Sequence, residues 1–208
     1  MSTRAALAPG LAMHADTTGE LPLLRRHRFD RATYQRMAEL GVLGPSAKVE
    51  LIAGEIANMS PQGFRHARTL LRLMELLPAA LAGRARVGFQ LPLPMLADSM
   101  PEPDAFVVAA GAGELRWPEA ALLIIEVADT SLSYDRDIKG ALYAMAGVPD
   151  YWIVDLNANT IEVRRDPRGD HYGSLTTLRS GDVACPLLFG DIMVAVEAVV
   201  GEPADPAV

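Results

Sequence analysis

One cysteine, Cys185, stands among 208 residues, which excludes an internal disulfide and any cysteine-built metal cluster. Next to Pro186 it reads as packing filler in a chain kept in a reducing cytoplasm. The four histidines show no zinc spacing. No apolar run approaches the roughly 18 residues of a membrane span. Arg4, Pro9 and His14 interrupt any apolar stretch at the N-terminus, so no signal peptide is expected there. A Gly-x-Ser-x-Gly elbow is missing, and Gly111-Ala-Gly113 is too short for a phosphate-binding loop. Positive charge is also scarce. The 19 Lys and Arg face 26 Asp and Glu, leaving a formal charge of −7. Proteins that coat nucleic acid rely on broad positive surfaces, so that mode is disfavoured. An enzyme that touches a backbone through a few placed cations is still allowed, because net charge speaks to solubility more than to fold.

What is present is ordinary globular composition, with 50% hydrophobic and 22% charged residues. Residues 1–20 and 201–208 read as mobile tails. Between them nothing suggests a linker or repeat, so one domain over 21–200 is expected. Asp30 is the expected N-cap of a helix stopping near Gly41. Residues 48–52 and 55–59 read as a hairpin around Ala53-Gly54. Ser60-Pro61 introduces a long helix to about Ala82, whose Leu70, Leu73, Met74, Leu77 and Leu81 follow three/four spacing. Pro78 kinks it or ends its regular part. Strands are predicted over 86–91, 104–109, 121–127 and 151–155, the last pairing with 160–165 across Asn157-Ala158-Asn159. A second helix is predicted from an Asp135 cap to about Ala146. The order predicts an α/β fold, a mixed β-sheet flanked by helices.

Three charged residues stand out. Glu126 lies near the end of the run Leu122–Ala128, which is apolar on both strand faces. A carboxylate there is costly unless it pairs with an arginine, caps a loop or binds a metal. Asp104 starts another apolar strand directly after Pro101-Glu-Pro103, where it is either a turn residue or a second ligand. Two such acids, completed by water and phosphate oxygens, are what a magnesium-like ion takes. Lys139 follows Asp135 by one helical turn. It is either half of a solvent-exposed i,i+4 pair or a cation aimed back at that metal.

Together these pieces resemble a family. Glu50-Leu-Ile-Ala-Gly54, His66, Pro103-Asp104, Glu126-Val127, Asp135-x-x-x-Lys139 and Tyr151-Trp-Ile-Val-Asp155 are similar to the Uma-two family of restriction-endonuclease-like nucleases, in the PD-(D/E)XK superfamily. The resemblance covers about Phe29 to Val200. It implies a restriction-endonuclease-like fold, with Asp104 and Glu126 as metal-binding acids. The usual superfamily lysine position, two residues after the acid, falls on Ala128; the Uma-two pattern places the lysine on the following helix, where Lys139 matches. Glu50 matches the family's first-strand acid, a further ligand or water-positioning group, and Glu55 is its alternative. His66 matches a polar position at the start of the long helix.

Arg65, Arg68 and Arg72 share one helical face, which is either solvated or in contact with phosphates. The expectation is a hydrolase: a magnesium- or manganese-dependent endonuclease cleaving phosphodiesters, with DNA as partner and a homodimer as its assembly. The alternative is a catalytically inactive nuclease-fold binding or assembly protein.

Overall fold

The computed structural model describes residues 26–44, 46–112, 118 and 120–201. The expected N-terminal tail, all but Gly201 of the C-terminal one, and Gly113 lie outside them.

Helix α1 runs Arg31–Glu39, and the Asp30 side chain accepts from the Thr33 amide at its start. Strands β1 (Val49–Ile52) and β2 (Glu55–Asn58) form the expected hairpin. Its turn residues Ala53 and Gly54 both take positive φ, 47° and 79°, the geometry of a two-residue hairpin turn. Helix α2 spans Phe64–Ala80 and retains Pro78 inside its last turn. It starts later than Pro61 because 61–63 remain outside the helix, and Gly63 caps it without a side chain.

The main sheet has six strands: β3 (Ala85–Gly88), β4 (Ala105–Ala109), β5 (Leu123–Ala128), β6 (Asp150–Asp155), β7 (Thr160–Arg168) and β8 (His171–Leu178), adjacent in that order. Only β5 and β6 pair in parallel, and every other pair is antiparallel. Parallel neighbours need a crossover. Here it holds a π-helical turn, Tyr134–Lys139, running into α3, Gly140–Met145. A two-stranded pair, β9 (Val183–Ala184) with β10 (Val194–Ala195), precedes the short α4 (Val196–Val200).

Strand alternation divides the core into two layers. On one face Ile125, Val127, Trp152 and Val154 pack with Leu73 and Leu77 of α2, its C-cap Leu81, and Val196 and Val199 of α4. On the other, Ile124, Ala128, Tyr151 and Ile153 pack with Leu142 and Tyr143 of α3. Each leucine buried here contributes roughly 2 kcal/mol, which offsets the entropy of ordering the chain. Met74, expected in the α2 stripe, lies at its margin, 45% exposed.

Strand β8 lies beyond the expected strands: most of its residues are exposed, and Tyr172 and Leu178 alone among them pack against the core, too few for a periodicity to mark it. One expectation changes. Asp135 is not a helix cap: it lies inside the π-turn, buried, and its carboxylate accepts from Ser131 Oγ at 2.6 Å.

Candidate active site

Strands β4 and β5 are antiparallel, so the start of one lies beside the end of the other. Asp104, just before β4, and Glu126, near the end of β5, therefore reach the same rim of the sheet. Helix α2 delivers His66 to that rim from one layer, and the π-turn delivers Lys139 from the other. The β1–β2 hairpin brings Glu50, because Leu51 bridges Met100 and anchors the hairpin to the chain entering β4. These side chains line one cleft of about 560 Å³, whose wall also includes Glu102, Asp129, Ser131, Tyr134 and Asp135.

Glu126 is buried, and two donors meet on its Oε1: Lys139 Nζ at 2.9 Å and Tyr143 Oη at 2.6 Å. Its Oε2 accepts no hydrogen bond from the described residues. Lys139 also lies 3.6 Å from Glu50 Oε2, so one ammonium bridges two acids from different strands. The Glu50 carboxylate is fixed further by the Glu102 amide at 3.1 Å and Tyr134 Oη at 3.3 Å. Asp104 is held on both oxygens. His66 Nε2 at 3.0 Å and the Val127 amide at 2.8 Å donate to Oδ2, and Gln90 Nε2 donates to Oδ1 at 3.2 Å. His66 Nδ1 is buried with no partner among the described residues.

Burial pushes the Glu126 carboxyl up to about 8; Lys139 opposes this, and Asp135 and Asp104 add to it. Burial disfavours the Lys139 charge, yet Glu126, Glu50 and Asp135 together hold it above the ordinary lysine range. Asp135 is raised by its own burial despite Lys139. The cleft thus concentrates carboxylates around a single lysine.

Such a donor set fits a hard divalent cation that keeps part of its water shell. Asp104 and Glu126 supply oxygens at the cleft, and Glu126 Oε2 accepts no hydrogen bond from the described residues. Among the described residues no three His, Cys, Asp or Glu side chains form a ready-made metal cage; the fit is to a two-carboxylate, water-completed site.

Asp104, Glu126, Lys139, Glu50 and His66 all line the cleft. Asp135 and Lys139 are not a solvent-exposed pair, since both are buried. Glu55, the alternative to Glu50, lies outside the cleft with its side chain 48% exposed, paired with Arg26. The three arginines do not line the cleft. Arg65 binds Asn157 Oδ1 at 3.1 Å and the Leu156 carbonyl. Arg72 lies 3.4 Å from the Val199 carbonyl. Arg68 lies over the Phe64 ring. Sequence reasoning missed Tyr143, Tyr134 and Gln90, each of which holds one of the acids. Tyrosine and glutamine at those positions look like ordinary core or loop residues until the chain closes.

Residues 31–197 match the Uma2 family, whose description reads "Putative restriction endonuclease". The chain belongs to the Uma2 family. A solved structure described as "a putative nuclease belonging to DUF820", from Anabaena variabilis ATCC 29413, superposes with a TM-score of 0.59 at 19% identity, covering 73% of this chain and 89% of that one. At that identity the likeness establishes the fold: an α/β mixed sheet flanked by helices. No curated protein matches the chain. Restriction-endonuclease-like families such as Uma2 generally use divalent metals and bind nucleic acid. Among the described residues no helix of this Uma2 chain is long and apolar enough to cross a membrane.

Proposed function

We propose that this chain is a magnesium-dependent endonuclease, a hydrolase that cuts phosphodiester bonds in DNA. The observation that carries the reading is the meeting of Asp104, Glu126 and Lys139 in one cleft from three separate elements. Asp104 and Glu126 would hold the ion, with Mn as a substitute for Mg. When bound, the ion lowers the pKa of a coordinated water and offsets charge on the scissile phosphate. His66 and Gln90 fix the Asp104 carboxylate, and Tyr143 fixes Glu126, so neither acid must reorganise to meet the cation. Lys139 is an ammonium already desolvated in the cleft. It would orient the attacking water by hydrogen bonding, or neutralise the extra charge on phosphate as the transition state forms. Glu50, whose Oε2 lies 3.6 Å from the same ammonium, would help hold Lys139 in place. Arg65 and Arg68 are the proposed backbone contacts outside the cleft, whereas Arg72 is turned to the Val199 carbonyl.

A homodimer acting in the cytoplasm suits the cutting of two strands, since two-fold symmetry presents one cleft to each. The other reading is a nuclease-fold protein that binds or assembles without cutting. The charge of −7 favours it. Plasmid nicking with magnesium or manganese, beside Asp104→Ala, decides between them. Metal-dependent nicking lost in the variant supports the nuclease. Equal rates in both proteins, or none in either, remove it.

A further inference from the structure

The π-turn that carries Lys139 is held from outside its own backbone. The Gly140 amide donates to the Asp135 carbonyl, five residues back. In an α-helix it would donate to Arg136, four residues back. The Gly140 amide therefore does not serve the Arg136 carbonyl, and Arg164 Nη1 on β7 donates to that carbonyl at 3.2 Å. Tyr151 Oη on β6 donates to the Asp135 carbonyl at 2.8 Å. Two neighbouring strands thus supply donors to two consecutive carbonyls at the point where the helix leaves α geometry. Both donors are themselves fixed. Arg164 Nη2 binds Glu162 Oε2 at 2.8 Å. The fully buried Tyr151 ring packs between Tyr143 and Tyr172, at centroid distances of 5.0 and 5.9 Å. Neither residue lines the cleft.

The geometry points to Tyr151 and Arg164 as positioning residues for Lys139: by bonding the Asp135 and Arg136 carbonyls they hold the π-turn open and keep the ammonium between Glu126 and Glu50. π-Turns inside helices are rare and occur mostly at functional sites, because ordinary α bonding competes with them. Successive residues lie about 100° apart around an α-helix. Moving the bonding by one place therefore swings Lys139 off the two acids. The inference rests on the reading of Lys139 as the cation of this cleft and deepens it by naming what aims it.

The chain has two lysines, exposed Lys48 and buried Lys139, which makes acylation a direct probe. Metal-free protein would be treated with acetic anhydride while circular dichroism shows it folded. Acylation at Lys139 would be read by peptide mass spectrometry relative to Lys48. Tyr151→Phe and Arg164→Met are each expected to raise Lys139 acylation by about tenfold, the shift in population expected for one lost buried hydrogen bond. Arg164→Lys, which retains a donor, should restore part of the protection. Tyr172→Phe loses a hydroxyl bond to the Val148 carbonyl in the same aromatic group but none to the π-turn, so it should match wild type. If nicking is observed, the first two variants should lower kcat with KM unchanged. Wild-type protection of Lys139 in both Tyr151→Phe and Arg164→Met overturns the inference, whatever the nicking assay shows. Exposed Lys139 in proteins that never nick DNA would leave the inference standing and remove the nuclease reading.

Discussion

The ammonium of Lys139 lies 2.9 Å from the Glu126 carboxylate, although the two are 13 residues apart and on different elements. The pair is almost wholly desolvated, with side-chain exposures of 7% and 4%. Neither partner is optional in a site of this kind, because a lone charge at such a depth is costly.

Replacing Lys139 by methionine keeps the aliphatic bulk and removes the charge. Under matched magnesium the cleavage rate should fall by about 10²–10³, as when one preorganised donor to a developing oxyanion is lost. Metal-free stability should fall by up to ~3 kcal/mol at pH 9, because without Lys139 the buried Glu126 must take up a proton to avoid an uncompensated charge, and that uptake costs more as pH rises. The loss should be smaller at pH 6, where Glu126 can take a proton. Urea unfolding at the two pH values measures this. A cleavage rate equal to wild type would make Lys139 a structural partner only.

Magnesium or manganese should raise the melting temperature of the wild type, because a ligand of the native state alone stabilises it by about 2.7 kcal/mol at a concentration 100 times its Kd. Asp104→Asn removes one anionic ligand and should abolish most of that increment. Asn can still accept from the Val127 amide, so the metal-free fold should survive. Differential scanning calorimetry with and without metal separates the outcomes. An equal shift in both proteins takes Asp104 out of the metal site.

The raised Glu126 carboxyl has a consequence for pH. Its folded value of about 8 lies above its ordinary 4.5, so the native state binds that proton more tightly than the unfolded chain. The stability it contributes is fully present below about pH 4.5 and is lost as pH rises through 8. Metal-free wild type should lose melting temperature across that window more steeply than Glu126→Gln, whose amide does not titrate. Parallel curves for the two proteins would contradict the assignment.

Tyr143→Phe deletes one oxygen, the 2.6 Å donor to Glu126 Oε1. It should weaken manganese binding by about threefold to tenfold, the effect of one hydrogen bond to a charged group. Isothermal titration gives the constant directly. Unchanged affinity would mean Lys139 alone orients the carboxylate.

The arginines should behave unequally. Arg65 is partly exposed beside Asp129 on the cleft wall, whereas Arg72 reaches the Val199 carbonyl near the end of α4. Arg65→Gln should reduce the salt slope of DNA binding by roughly 0.9, one phosphate contact, while Arg72→Gln leaves the slope unchanged. Fluorescence anisotropy at several salt concentrations tests both. Equal slopes for wild type and Arg65→Gln would place the backbone contacts elsewhere.

Much of this was legible in the sequence because it is set locally. The α2 leucines announce a buried face through their spacing, and the apolar runs of β5 and β6 announce a covered sheet. Asp104 and Glu126 stand out because a carboxylate at the end of an apolar strand needs a partner. The Ala53-Gly54 turn and the Asp30 cap depend on neighbours within four residues. Other features required chain closure. Glu50 and Glu55 flank the same turn and differ by sequence reading only in a motif match. Docking of the hairpin against Met100 buries the first and leaves the second outside. Asp135 looks like a helix cap from its position, and only the covering of the crossover by β6 and β7 puts it inside. The order of residues determined where apolar faces and costly charges fall, since these follow from periodicity along one strand or helix. Tertiary structure alone decided which donors meet those charges, because Tyr143, Gln90 and Arg164 reach their partners across separations of 17, 14 and 28 residues, and no local pattern encodes such a meeting.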